Sequence, residues 1–270
     1  MPLFETLKNI LDSVDEKEYP EICQTISENI DLESGEVFDD AYGIAQQLHE
    51  ADGAKLLPNC VSAFLLEVYA AETENGNTDA ACNLGALYYT GRTGEQNFAK
   101  AVKYYTLAAD GGCRQAQENL AYCYYYGRAG DVDYEKAFHY FALGAFDGQI
   151  RSLYKIGDMY RYGQYVTKNA REAFRIYARC FDTMHDGALP LVGADVTMRI
   201  ADCFFEGIGT EMDYEKALEY YQRAEHLFYH RLQEGDYWIK NNYEKVIARQ
   251  EEARRKMRET LPKYDWVKSE

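Results

Sequence analysis

The chain has 270 residues and a formal net charge of −16 at pH 7, with 45 acidic against 29 basic side chains. An acidic body of this size repels phosphate backbones and anionic lipid surfaces, so neither nucleic acid nor a membrane is expected as a partner. The composition is 14% aromatic with 25 tyrosines, a residue that serves both wet grooves and cores.

The opening MPLFETLKNILDS carries Glu5, Lys8 and Asp12 inside what would have to be the apolar run of a signal peptide, and no stretch of the chain approaches the length of a spanning helix. Seven cysteines without a repeating paired spacing read as thiols in a reducing, cytoplasmic setting. Leu3, Phe4, Leu7, Ile10, Leu11 and Val14 lie on one face of a first amphipathic helix, and Ile22, Cys23, Ile26 and Ile30 on one face of a second. Residues 1–35 are therefore expected to be a helical cap. Beyond Gly35, Val37–Leu48 and Cys60–Thr73 read as two more helices. Leu48, Tyr69 and Gly76 stand 36 residues before Leu84, Tyr105 and Gly112, which makes residues 36–78 a degenerate copy of the repeat that begins at Asp79.

Four clearer copies then fill residues 79–226, divided as 79–114, 115–150, 151–194 and 195–226. Leu84, Tyr88, Gly91, Lys100-Ala101, Tyr104 and Gly112 recur 36 residues on as Leu120, Tyr124, Gly127, Lys136-Ala137, Tyr140 and Gly148. A third copy carries Ile156, Gly157, Tyr160, Gly163, Glu172-Ala173 and Tyr177. The fourth, displaced by 44 residues, carries Ile200, Ala201, Phe204, Gly207, Lys216-Ala217 and Tyr221. Within each copy the i, i+4 apolar spacing predicts a first helix, with Leu84 and Tyr88 and their equivalents in the core, ending on a glycine free to take positive φ. Asn97, Asp133, Asn169 and Asp213 follow as N-caps of a second helix. Helical hairpins this short must stack to bury a continuous core.

The pattern A-x-x-x-L-G-x-x-Y-x-x-G, a capping residue, K-A, two aromatics and a closing A-A-x-x-G resembles the Sel-1-like repeat, a relative of the tetratricopeptide repeat with a longer loop between its helices. It departs from that pattern at Ala121 and Ala201, in place of the first helix's glycine, and at Arg171-Glu172. The resemblance implies an all-α fold, a right-handed α-α superhelix or solenoid of helical hairpins with helical caps. It implies an adaptor that holds other proteins and carries no chemistry of its own. Some secreted, cysteine-rich members of that family are associated with penicillin binding and β-lactam hydrolysis, which is the alternative reading. Those relatives end each second helix on a cysteine paired with one in a first helix, whereas Ala109, Ala145 and Phe181 stand there in this chain.

After the fourth copy, residues 227–270 are expected to form C-terminal capping helices. His226–Gln233 extends the fourth second helix, Gly235 interrupts, and Tyr237–Thr260 reads as one long helix with Tyr243, Val246 and Ile247 as its apolar stripe. Beyond Ala248 it is almost wholly charged, which suits a solvated cap laced by i, i+4 ion pairs or an arm that binds a partner.

Motifs for catalysis are sparse, and neither a cofactor nor a metal is expected. His226 and His230 share the i, i+4 spacing of a zincin helix, but Leu227 stands where the glutamate would be. Gly207-Ile208-Gly209 lacks the third glycine of a dinucleotide loop. His185-Asp186 in the insertion has no recognisable nucleophile beside it. Cys123 and Cys203 share a repeat position that is buried more often than reactive.

The resemblance to tetratricopeptide arrays places a binding groove on the first helices. Carried onto this register it selects Cys82, Ala86 and Tyr89; Glu118, Tyr122, Tyr125 and Tyr126; Tyr154, Asp158, Arg161 and Tyr162; and Met198, Asp202 and Phe205. The expected ligand is a segment of another protein carrying Lys or Arg, matched to Glu118, Asp158 and Asp202. The bland alternative is that these tyrosines pack helix against helix.

Overall fold

A computed structural model describes residues 2–53, 55–184 and 190–260. The described residues form thirteen α-helices and no strand beyond one isolated bridge between Ile30 and Val37. They are α1 (Leu3–Ser13), α2 (Pro20–Asn29), α3 (Ala41–Glu50), α4 (Asn59–Glu74), α5 (Thr78–Thr90), α6 (Phe98–Asp110), α7 (Arg114–Tyr126), α8 (Tyr134–Phe146), α9 (Ile150–Tyr162), α10 (Ala170–Thr183), α11 (Pro190–Glu206), α12 (Tyr214–Gln233) and α13 (Lys240–Thr260). This is the all-α repeat architecture expected from the sequence. The chain divides into two compact units, Met1–Tyr140 and Phe141–Glu270. The candidate pair His185-Asp186 lies outside the described residues.

Each hairpin is written by local chemistry. Gly91, Gly127, Gly163 and Gly207 end their first helices at φ between +63° and +73°, the left-handed region where a side chain is strained. Asn97, Asp133, Asn169 and Asp213 each accept from the backbone N–H three residues on and so cap the second helix. The same four residues donate their own N–H to the carbonyls of Tyr88, Tyr124, Tyr160 and Phe204, at 2.8–3.0 Å. That bond fixes the loop length, because it satisfies an orphan carbonyl at the end of the first helix with the residue that starts the second.

In the first unit, α1 and α2 pack onto α3 and α4 around Leu7, Ile22, Ile26, Ile44, Leu48, Leu65 and Tyr69. Tyr69 of α4 is fully buried, and Tyr105, 36 residues on, is 3% exposed. Arg92, in the loop after α5, binds the end of α3: its guanidinium donates to the carbonyls of His49 and Ala51, and its Nε to that of Lys55. Asp52, after α3, ties on α2: its buried carboxylate accepts from Ile22 N–H at the start of that helix, 3.1 Å.

In the second unit, α11, α12 and α13 form a core around Ala201, Phe205, Tyr221, Phe228, Val246 and Ala253. A short 3-10 turn, Tyr237–Ile239, precedes α13, which corrects the single helix expected there. The buried face of α13 also runs further than the apolar stripe suggests, through Gln250 and Ala253.

The expected core needs one correction. Leu84, Leu120, Ile156 and Ile200 are buried, but Tyr88, Tyr124, Tyr160 and Phe204 are only half-buried. The fully enclosed ring is the second of the paired aromatics: Tyr105, Phe141, Tyr177 and Tyr221 are all at most 3% exposed. Tyr88, Tyr124 and Phe204 instead stack near-parallel on Tyr104, Tyr140 and Tyr220, at 5.7–6.0 Å, and Lys100, Lys136 and Lys216 reach over them at 4.7–5.4 Å. The Lys of the K-A pair is thus a cation seated on the rim of three of the four hairpins, the third carrying Glu172 in its place. The Leu-Gly glycine makes room for the enclosed ring. A Cβ on Gly85 would stand 2.6 Å from Cδ1 of Tyr105, and one on Gly157 2.7 Å from Cε1 of Tyr177.

Candidate functional site

The residues selected on the first helices separate into two chemistries. In the first unit they are aromatic. Tyr89 is half-buried, with its ring edge-on to Phe98 at 5.3 Å and tilted against Tyr105. On α7, Tyr122 and Tyr126 stack at 6.2 Å and 10°, one turn apart, and Tyr125 meets both Tyr126 and Tyr134 edge-on. The Arg128 guanidinium lies over both Phe98 and Tyr126, at 5.4 and 5.7 Å, and so joins the start of α6 to the end of α7. Tyr126 is 49% exposed. Glu118 and Cys82 are buried. Burial raises the Tyr89 phenol above its ordinary value, so it remains a neutral hydroxyl at physiological pH.

In the second unit the selected residues are largely buried and charged. Asp158 receives Arg199 in a fork, Nε at 2.6 Å and Nη2 at 2.8 Å, with Lys155 at 3.5 Å and the Tyr177 hydroxyl donating at 2.8 Å. Burial would raise its pKa, but the Arg199 charge and hydrogen bonds, helped by Lys155 and Tyr177, outweigh it. The carboxyl is held below its ordinary value. Asp202 occupies the same repeat position one copy later. It accepts from the Tyr221 hydroxyl at 2.6 Å, with Arg161 at 3.4 Å and Lys245 at 3.5 Å. Glu206, one turn on, bridges Arg161 and Arg249. Asp195 holds Arg231 and Arg199 and accepts from Asn242. The rings of Tyr154 and Phe205, both buried, lie beneath the guanidinium groups of Arg199 and Arg249, each at 4.7 Å. Tyr162, at the end of α9, is 60% exposed.

The expectation that Asp158 and Asp202 face a partner's Lys or Arg meets an obstacle. The structure gives each an internal cation, so a partner would have to displace Arg199, or Arg161 and Lys245. The signal for this is present in two spacings. Tyr177 and Tyr221 each follow their aspartate by 19 residues, whereas copies one and two have Ala86 and Tyr122 at the aspartate's position. Asp202 and Glu206 on α11, and Lys245 and Arg249 on α13, are both i, i+4 pairs that meet acid to base. The expected capping helix is thus an ion-paired lid on α11, with further pairs along its own surface at Arg249–Glu252 and Arg255–Glu259.

The histidines His226 and His230 are exposed, with rings edge-on at 4.5 Å, and no group of three potential metal ligands occurs among the described residues. All seven cysteines are free; Cys123 and Cys203 are buried, and burial pushes both thiols up to about 12. No helix among the described residues is long and apolar enough to cross a membrane.

The family model described as Sel1 repeat matches residues 78–113, 114–145, 150–179 and 194–227. Among solved structures, a Sel1 repeat protein from Oxalobacter formigenes is similar at 24% identity and a TM-score of 0.52, over 61% of this chain and 64% of that one. The protective antigen c5321 of uropathogenic Escherichia coli, which displays an SLR fold, is similar at 18% identity and a TM-score of 0.51, over 92% of this chain and 56% of that one. At these identities the likeness is one of fold, and the chain spans less than two thirds of either relative's length. No curated protein matches the chain. The matched repeats coincide with the four hairpins built on Gly91, Gly127, Gly163 and Gly207, and the chain belongs to the Sel1 repeat family.

Proposed function

We propose that this protein is a non-catalytic scaffold that holds a segment of another protein against the tyrosines of its first helices. The observation that carries the reading is the aromatic cluster of the first unit. Tyr89, Tyr122, Tyr125 and Tyr126 lie at successive first-helix ends, and Tyr126 keeps half its surface open to solvent. Large, rigid, amphipathic rings of this kind supply contact area at little entropic cost and are enriched where proteins meet. The net charge of −16 favours a partner segment with Lys or Arg. In the second unit, Asp158, Arg161, Tyr154, Asp202 and Phe205 serve the protein's own interior, which leaves Tyr162 as the residue of that set most open to a partner.

The test is affinity capture with the purified chain, identification of the bound protein by mass spectrometry, and titration of that protein against Tyr122→Ala/Tyr126→Ala. Affinity should fall by about tenfold or more, as hot-spot aromatics do, while the helical signal and melting temperature stay close to those of the parent. Unchanged affinity in a folded variant would refute the assignment.

A further inference from the structure

The first unit carries a second surface, separate from the tyrosine cluster. Leu3 and Thr6 of α1, the start of α3 and the outer face of α4 enclose a cavity of about 490 Å³. Its apolar lining comes from Leu3, Tyr42, Phe64 and Val68, with Phe64 6% exposed. Phe64, Val68 and Ala71 follow one another at helical spacing, so this is a continuous stripe of α4 that α1 covers only in part.

Three carboxylates line the same cavity: Asp40, Glu67 and Glu72. Asp40 accepts the Gly43 N–H as an N-cap, and Glu72 accepts from the side-chain amides of Asn75 and Asn77. Among the described residues, no Lys or Arg lies within ion-pairing distance of any of the three. Asp40 and Glu67 face solvent and Glu72 is half-buried, unlike the buried Asp52, Asp158 and Asp202, which hold Lys55, Arg199 and Arg161. An apolar hollow rimmed by acids without cations is complementary to one kind of occupant.

The geometry points to a docking site for a segment of another protein that seats an aromatic or branched aliphatic side chain on Phe64 and Val68 and sets an adjacent Lys or Arg against Glu67 and Glu72. The apolar contact supplies the anchoring and the acids supply the selectivity, since a carboxylate-bearing segment would be repelled. Attraction between exposed charges is screened, so the interaction weakens with salt.

The test is selection from a phage-displayed random dodecapeptide library on the immobilised full chain. A fluorescein-labelled synthetic copy of the enriched peptide is then titrated by anisotropy. The expected consensus pairs an aromatic or aliphatic residue with Lys or Arg. Glu67→Lys/Glu72→Gln should weaken that peptide by about tenfold, with the conservative Glu67→Gln showing a smaller loss in the same direction. Tyr122→Ala/Tyr126→Ala should leave its affinity unchanged. No enrichment, a consensus without a cation, or affinity indifferent to Glu67 in variants with an unaltered thermal melt would overturn the inference. Loss in the tyrosine variant alone would place the peptide on the other surface, sinking this inference while supporting the proposed function.

Discussion

Arg199→Met should destabilise the second unit by about 3 kcal/mol. Arg199 makes two charge-assisted hydrogen bonds to a carboxylate that is 3% exposed, and it also approaches Asp195 at 3.7 Å. Removing one partner of a buried pair costs about 3–5 kcal/mol, because the remaining charge stays in a poorly solvating interior. The low end applies here, since Asp158 retains Lys155 and the Tyr177 hydroxyl. Asp158→Leu/Arg199→Met removes both charges, so the pair should couple, and the double variant should lose less than the sum of the two single losses by about 2 kcal/mol. The measurement is urea unfolding followed by far-UV circular dichroism at pH 7. At that pH the Asp158 contribution is fully present: its folded pKa lies below the ordinary 3.8, so the stabilisation exists above that value and is lost only as pH falls through the folded one. An Arg199→Met loss under about 1 kcal/mol, or strictly additive single losses, would refute the view that this ion pair holds α11 to α9.

His49 is half-buried against Tyr69, and this partial burial, with the nearby Arg92 charge, lowers its pKa from 6.5 to about 4. Only the unfolded chain takes up that proton between those values, so stability should fall as pH drops from 6.5 to 4, by about 3 kcal/mol in all; a His49→Gln variant should show a flatter profile by that amount, and an identical profile would refute the assignment. Gly127→Val places a β-branched residue at φ +63° with its Cβ 2.9 Å from the Gly130 carbonyl oxygen, and should cost more than about 1 kcal/mol by thermal or urea unfolding. Thiol titration in denaturant without reductant should count seven, and in the native protein the half-exposed Cys60 and Cys113 should react well before the five buried cysteines. A denatured count of five or fewer would show a disulfide.

The hairpin grammar is legible in the sequence because the left-handed glycines and the Asn and Asp caps act within a few residues, while the repeat period carries the register from one hairpin to the next. The two amphipathic helices α1 and α2 are readable from apolar spacing alone, and Leu7, Ile22 and Ile26 are fully buried. Which of two adjacent aromatics faces inward is not legible, because Tyr104 and Tyr105 look alike until the ring meets Gly85 on the opposing helix. The candidate carboxylates mislead for a related reason. Periodicity gives positions within a repeat but not the step to the next one, and Asp158 finds Arg199 41 residues away.

That step also explains the C-terminal helix. Asp158 on α9 pairs with Arg199 on α11, and Asp202, its equivalent on α11, pairs with Lys245 on α13. Within the second unit, α13 therefore stands to α11 as α11 stands to α9: it supplies a next first helix without a second helix after it. Its buried face of Val246, Gln250 and Ala253 continues the stack, while Arg254, Arg255 and Glu259 turn a charged surface outward, as a terminal repeat requires. In the second unit the chain thus neutralises the acids of its own last repeat. In the first, the solvent-facing acids around Phe64 and Val68 carry no such match among the described residues.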